Sequence, residues 1–175
     1  LKDRSFHEKI IQSEYKLFGN IFSENVIKGK NNFLFMSGVN KNGYDYVADY
    51  TGEHQIDTND LEKIYQYIEM RNKAYQNRNV HYYLAVLPNS QTVYSEYMPD
   101  IYGSKSPSTA LECVEAYLEE KGFEQFIDLT DSMTAAKVNG LLYNNTENSI
   151  NALGAYYAYV GIMDFLAKDT DGAGE

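Results

Sequence analysis

Cysteine is nearly missing. Cys113 stands alone among 175 residues, so no internal disulfide and no cysteine-based metal site can form. Its neighbours Leu111, Glu112 and Val114 read as an apolar helix position, and nothing in the sequence supplies a base to activate the thiol. Such poverty suits the cytoplasm and equally a secreted protein that manages without bridges. Tryptophan is absent altogether, while tyrosine occurs 17 times. Long apolar runs are also lacking: Leu84-Ala85-Val86-Leu87 falls far short of the ~20 residues that span a bilayer. Positive charge is in deficit, with 15 Lys and Arg against 25 Asp and Glu and a net charge of −10. No basic stripe offsets it, which argues against nucleic acid as a partner and against membrane contact by this segment. His7, His54 and His81 are far apart, with no carboxylate or cysteine at ligand spacing, and no metal or other cofactor is expected. Gly38, Gly43 and Gly52 are too dispersed to cradle a phosphate. Asp169-Thr170-Asp171-Gly172 resembles the start of a calcium loop but lacks its later ligands.

What is present describes a folded segment. Hydrophobic residues make up 43% and charged residues 23%, ordinary for one globular domain spanning 1–175 or for the N-terminal portion of a larger one. The chain begins at Leu1 without a signal-peptide pattern, so an excised or processed segment is expected, with any anchor preceding it. Phe6, Ile10, Ile11, Tyr15, Leu17 and Phe18 predict a first helix over about 5–18. Val26 to Phe35 reads as a hairpin around a Gly/Asn turn, and 37–57 as a long surface connection. N-cap candidates at 57–60 precede Leu61, Ile64, Tyr65, Ile68 and Tyr75, predicting an amphipathic helix over about 59–77.

His81 to Leu87 predicts a strand buried on both faces and ended by Pro88. A third helix opens around Ser106-Pro107-Ser108-Thr109 and runs to Gly122. Phe126-Ile127-Asp128-Leu129 is a second buried strand, 153–166 a closing helix, and 169–175 a flexible tail. Alternating strands and helices predict an α/β domain with a parallel sheet and helices on both faces. Only two confident parallel strands appear, so the sheet is short of strands.

Two stretches carry more information. In one, the strand runs into Pro88-Asn89-Ser90 and then Tyr94-Ser95-Glu96-Tyr97-Met98-Pro99; in the other, a polar loop from Tyr143 to Asn151 leads into Leu153-Gly154-Ala155-Tyr156-Tyr157-Ala158-Tyr159. With the early Gly29-Lys30…Leu34-Phe35 hairpin, these resemble the DHHW family of bacterial surface proteins. Those proteins are related to alginate O-acetyltransferases within the SGNH-hydrolase-like class. The resemblance implies a three-layer, flavodoxin-like α/β fold, O-acyl transfer or ester hydrolysis on cell-surface polysaccharide, and a location outside the cytoplasmic membrane.

It also marks where this chain departs. The positions of the Asp-His-His-Trp motif fall on Glu147, Asn148, Ser149 and Ile150. Acyl transfer of this type needs a nucleophile, an imidazole base and an orienting carboxylate. Glu147 keeps a carboxylate one methylene longer, but the Ser149 hydroxyl is no general base near neutral pH. The family's serine block lies well downstream of this helix. Asp131-Ser132 comes too early in the chain and reads as a turn or helix cap.

Three readings stay open. The chain is the N-terminal portion of a surface-polysaccharide O-acyltransferase or esterase, inactive by itself. Alternatively it is a pseudoenzyme kept as a glycan- or protein-binding module, with Asn148, Asn151 and Tyr143 as sugar contacts beside the degenerate Glu147 and Ser149. Or it is an unrelated α/β domain, to which a structure lacking strands 82–87 and 125–129 side by side would point.

Overall fold

The computed structural model describes residues 25–54 and 56–172, together with Lys9 and Ser13. Apart from those last two, which are helical, the helix expected over 5–18 lies outside the described residues. The predicted hairpin is present: β1 (Val26–Lys28) pairs antiparallel with β2 (Leu34–Met36), placing Ile27 opposite Phe35. Both of these side chains are buried. Asn31 and Asn32 turn the chain at φ 51° and 62°, a left-handed region that asparagine tolerates better than most residues. Gly29 is required by close approach, since a Cβ there would lie 2.5 Å from the Tyr97 carbonyl oxygen.

The connection expected over 37–57 instead contains a short helix, α1 (Tyr46–Thr51). Asp45 caps it by accepting from the N–H groups of Val47 and Ala48, and Gly52 closes it at φ 80°. Next comes α2 (Thr58–Gln76), capped by Asp57, whose carboxylate accepts from the Asp60 N–H at 2.9 Å. After β3 (Leu84–Val86) the chain makes α3 (Ser90–Val93) and two 3-10 turns. The following helix, α4 (Ala110–Glu120), starts later than expected because its cap is Thr109, with Glu112 reaching back to the Thr109 N–H in a capping box. Cys113 lies half-buried on this helix. Then β4 (Phe126–Asp128) leads into α5 (Thr130–Ala136).

The closing helix, α6 (Ala152–Gly172), runs further than predicted. The segment expected to be a tail from 169 is thus helical to Gly172, and the Tyr83 hydroxyl donates to Asp169 at 2.5 Å.

β3 and β4 are parallel neighbours in the register Leu84↔Phe126, Ala85↔Ile127 and Val86↔Asp128, which removes the reading as an unrelated fold with separated strands. This two-stranded sheet divides the core. Ile68, Leu118, Phe123 and Phe126 form one cluster, in which α2 and α4 pack on Leu84 and Val86. On the other face Ile127 and Leu129 join Met133, Leu142, Tyr143 and Ala158 of α6, and this cluster extends to the hairpin. The arrangement is three layers, α/β/α. One expectation needs correction. β3 is not buried on both faces: Ala85 is exposed, although its neighbour in register, Ile127 of β4, is buried.

Candidate functional site

The carboxyl end of β3 is where the two informative stretches meet. Pro88 ends the strand, and its carbonyl accepts from the Tyr143 hydroxyl at 2.5 Å. Ser90, at the start of α3, donates its N–H to Oδ1 of Asn148 at 2.8 Å. The polar loop is thereby anchored on the strand end from 58 residues away. An isolated bridge between Tyr143 and Ile150 closes the loop, and the Leu34 N–H on the hairpin's outer edge donates to the Asn145 carbonyl at 2.7 Å.

The expected site residues divide by exposure. Glu147 and Ser149 lie on the surface at the loop tip, and the Asn144 side-chain amide donates to the Glu147 carboxylate. Among the described residues, no imidazole is hydrogen-bonded to either. His54 sets its ring edge-on against Tyr44, and His81 stacks on Tyr83. Asn148 is half-buried, and its Nδ2 has no partner among the described residues. Two other expected sugar contacts are corrected. Tyr143 is only 2% exposed, so its ring is core and its hydroxyl is committed to Pro88. Burial, and secondly the neighbouring Tyr94, push that hydroxyl's pKa above its usual value. Asn151 spends its side chain on the chain itself: Nδ2 donates to the Leu141 carbonyl and Oδ1 accepts from the Gly154 N–H, at 2.6 and 3.0 Å. That makes it the cap of α6. Ser132 lies within the first turn of α5, where its Oγ donates to the Leu129 carbonyl at 3.0 Å, and its side chain packs against Gly161. Asp131-Ser132, expected as a turn or helix cap, thus lies inside the first turn of α5 and caps nothing with its side chains.

On the opposite side of the strand end is a group that sequence reasoning missed. The Asn89 side-chain amide donates to the Tyr44 hydroxyl at 3.2 Å, and Tyr44 donates to Asp49 Oδ2 at 2.6 Å. The other Asp49 oxygen accepts from the Ala110 N–H at 2.6 Å, tying α1 to the start of α4. Asp49 is 7% exposed, so both oxygens are satisfied away from water. Burial, reinforced by the Asp49 carboxylate, raises the Tyr44 pKa well above its ordinary range. The available signal was Asp45 as an N-cap ahead of Tyr46-Val47-Ala48.

Residues 26–175 match the family model for the SGNH hydrolase-like domain of the acetyltransferase AlgX. The chain belongs to this family. Two solved structures share the fold of this AlgX-type domain. The O-acetyltransferase domain of Pseudomonas putida AlgJ superposes with a TM-score of 0.54 at 18% identity, covering 83% of this chain and 48% of that one. Bacillus cereus PatB1, solved with a sulfonyl adduct, gives 0.53 at 17% identity, covering 82% and 43%. The chain thus spans somewhat under half the length of either structure. No curated protein sequence matches it. No helix among the described residues is long and apolar enough to cross a membrane.

Proposed function

We propose that this AlgX-type domain is a non-catalytic descendant of the O-acetyltransferases, from the DHHW branch, that binds cell-surface polysaccharide outside the cytoplasmic membrane of a bacterium. One observation carries the reading: the loop 143–151 is held against the end of β3 by Tyr143 and Asn148, yet its tip offers only Glu147 and Ser149. Its shape is kept without an imidazole at the tip. General-base catalysis contributes roughly 10²–10⁴ in rate, and without it a serine hydroxyl is a poor nucleophile near neutral pH.

Binding asks less of the loop. The Ser149 hydroxyl and the Glu147 carboxylate are exposed, and with the half-buried Asn148 Nδ2 they offer a row of donors and acceptors near the end of β3. Such groups suit the hydroxyls and acetyl carbonyls of a sugar chain. The net charge of −10 favours a neutral or O-acetylated polymer over a polyuronate.

The test has two arms. With a chromogenic acetyl ester the chain gives no turnover above buffer, and Ser149→Ala and Ser132→Ala change nothing. Calorimetry with an O-acetylated neutral bacterial polysaccharide gives saturable binding. Asn148→Asp keeps the acceptor for the Ser90 N–H but loses the Nδ2 donor, and it weakens that binding several-fold. Ester turnover abolished by Ser149→Ala, or no binding to acetylated or deacetylated polymer, overturns the proposal.

A further inference from the structure

The chain of hydrogen bonds through Asp49, Tyr44 and Asn89 fixes which way the Asn89 amide faces. A carboxylate only accepts, so the Tyr44 proton is committed to Asp49 Oδ2 at 2.6 Å and the phenol oxygen is left to accept. Burial, reinforced by Asp49, raises the Tyr44 pKa and keeps that proton in place. Asn89 must therefore turn Nδ2 to the phenol, as it does at 3.2 Å. Its Oδ1 is left over. Asn89 stands at the N-cap of α3, where an asparagine side chain ordinarily accepts from a backbone N–H of the first turn, yet it makes no such bond. Among the described residues, Oδ1 and the second Nδ2 hydrogen are both without a partner.

This unused amide lies on a groove of about 440 Å³ between β3, α2 and α4. The remaining wall is largely aliphatic, built from Ile64, Leu84, Val86, Leu87, Leu111 and Val114. Polar groups gather where β3 ends and α4 begins, because Asn89 follows the strand and Asp49 accepts from the Ala110 N–H. An apolar cleft with a few convergent polar groups, at the carboxyl end of a parallel strand, is how small-molecule sites are commonly built. Charge narrows the choice. Among the described residues no lysine or arginine pairs with Asp49, and the lysine beside the groove, Lys105, is already paired with Glu112. An anionic head group therefore finds no free cation there. A free acceptor and a free donor on one amide suit a head group that carries both an N–H and a carbonyl.

We propose that this groove binds a neutral aliphatic carboxamide. Its amide N–H donates to Asn89 Oδ1, its carbonyl accepts from Asn89 Nδ2, and its hydrocarbon chain lies along Leu84, Val86, Leu111 and Val114. The site is across the end of β3 from Glu147 and Ser149, and it stands whether or not the loop binds glycan.

Calorimetric titration of the protein as its gene encodes it with octanamide tests the site. Saturable binding is expected, several-fold tighter than that of hexanamide, since each buried methylene strengthens binding by up to about four-fold. Octanoate, equally long but anionic, binds about ten-fold more weakly or worse. Asn89→Ala keeps the Tyr44–Asp49 bond and weakens octanamide by about ten-fold. Should Asn89→Ala not fold, Val114→Asn, which puts a polar group in the aliphatic wall, gives a loss of similar size. No saturable binding of octanamide overturns the proposal, as does binding that both variants leave unchanged or that octanoate matches. Binding seen only when a dimer is diluted apart overturns it too, because the occupant of the groove is then a second copy.

Discussion

Replacing Tyr143 by Phe removes one oxygen from a buried ring and little else. The hydroxyl donates to the Pro88 carbonyl at 2.5 Å, and the residue is 2% exposed. In the variant, the carbonyl at the end of β3 loses its partner where water has poor access. The cost is a net hydrogen bond plus an unpaired acceptor, about 1–3 kcal/mol. For a chain of this size each kcal/mol lowers Tm by roughly 2–4 °C. The pH dependence gives a sharper check. Burial first, then Tyr94, raise the folded hydroxyl's pKa above the ordinary 10.0. The stability from keeping this phenol neutral is therefore complete below pH 10 and is lost as pH rises further, because only the unfolded chain ionises there. At about pH 11 an unfolded tyrosine of ordinary pKa gains about 1.4 kcal/mol by ionising, and phenylalanine gains nothing. The Tyr143→Phe penalty measured near neutral pH should thus shrink by about 1.4 kcal/mol at that pH. Urea melts of both proteins at the two pH values measure it. A penalty absent at neutral pH, or undiminished at high pH, refutes the reasoning.

Other substitutions probe the same frame. A Cβ at Gly154 would lie 2.1 Å from the Leu142 carbonyl oxygen, so Gly154→Ala forces α6 away from the loop and should cost about 1–3 kcal/mol in thermal melts. Asp49→Ala leaves the Tyr44 hydroxyl and the Ala110 N–H without their acceptor, and should destabilise by roughly 2–4 kcal/mol. Glu112→Ala opens the capping box of α4 and should cost about 1 kcal/mol, most of it recovered by Glu112→Gln, which can still accept from the Thr109 N–H. A Glu112→Gln loss as large as that of Glu112→Ala would move the effect to the Lys105 ion pair.

Local signals predicted the elements whose causes are local. Asp57 ahead of Ile64 and Ile68 marks α2 because cap and periodicity lie in one short window. The hairpin was legible for the same reason, and β3 and β4 each as a short apolar run, their pairing following from the alternation of strands and helices. α1 was not, because six residues are too few to show a 3.6-residue period, and the Asp49 side chain finds its N–H partner 61 positions away. The apolar run at β3 reads as buried on both faces, but burial depends on what covers it, and Ala85 is exposed where its neighbour in register, Ile127, is buried. Small residues at the start of α6 were legible as a motif, whereas their physical reason, close packing of Gly154 on Leu142, needed the fold. At the site, the positions of Glu147 and Ser149 came from resemblance alone. The anchoring of Asn148 on Ser90 and the burial of Tyr143 follow from contacts more than 50 residues apart, which no local pattern encodes.

The loop explains how catalytic side chains could be lost without loss of fold. Its shape rests on Asn145, whose carbonyl accepts from Leu34, on Asn148, which accepts from Ser90, and on Asn151, which caps α6. The Tyr143–Ile150 bridge closes it through the backbone. The Ser149 side chain is bonded to none of these supports, and Glu147 is held only by Asn144 at the exposed tip. Exchanging an imidazole for a hydroxyl at such a position costs little stability, since surface changes away from caps and networks usually stay within about 0.5 kcal/mol. Folding therefore does not depend on the side chain at 149, whereas it does draw on Asn148, Asn151 and Tyr143. Under the proposed reading the loop keeps its shape while its chemistry is gone, and fold similarity to acetyltransferases does not by itself report turnover.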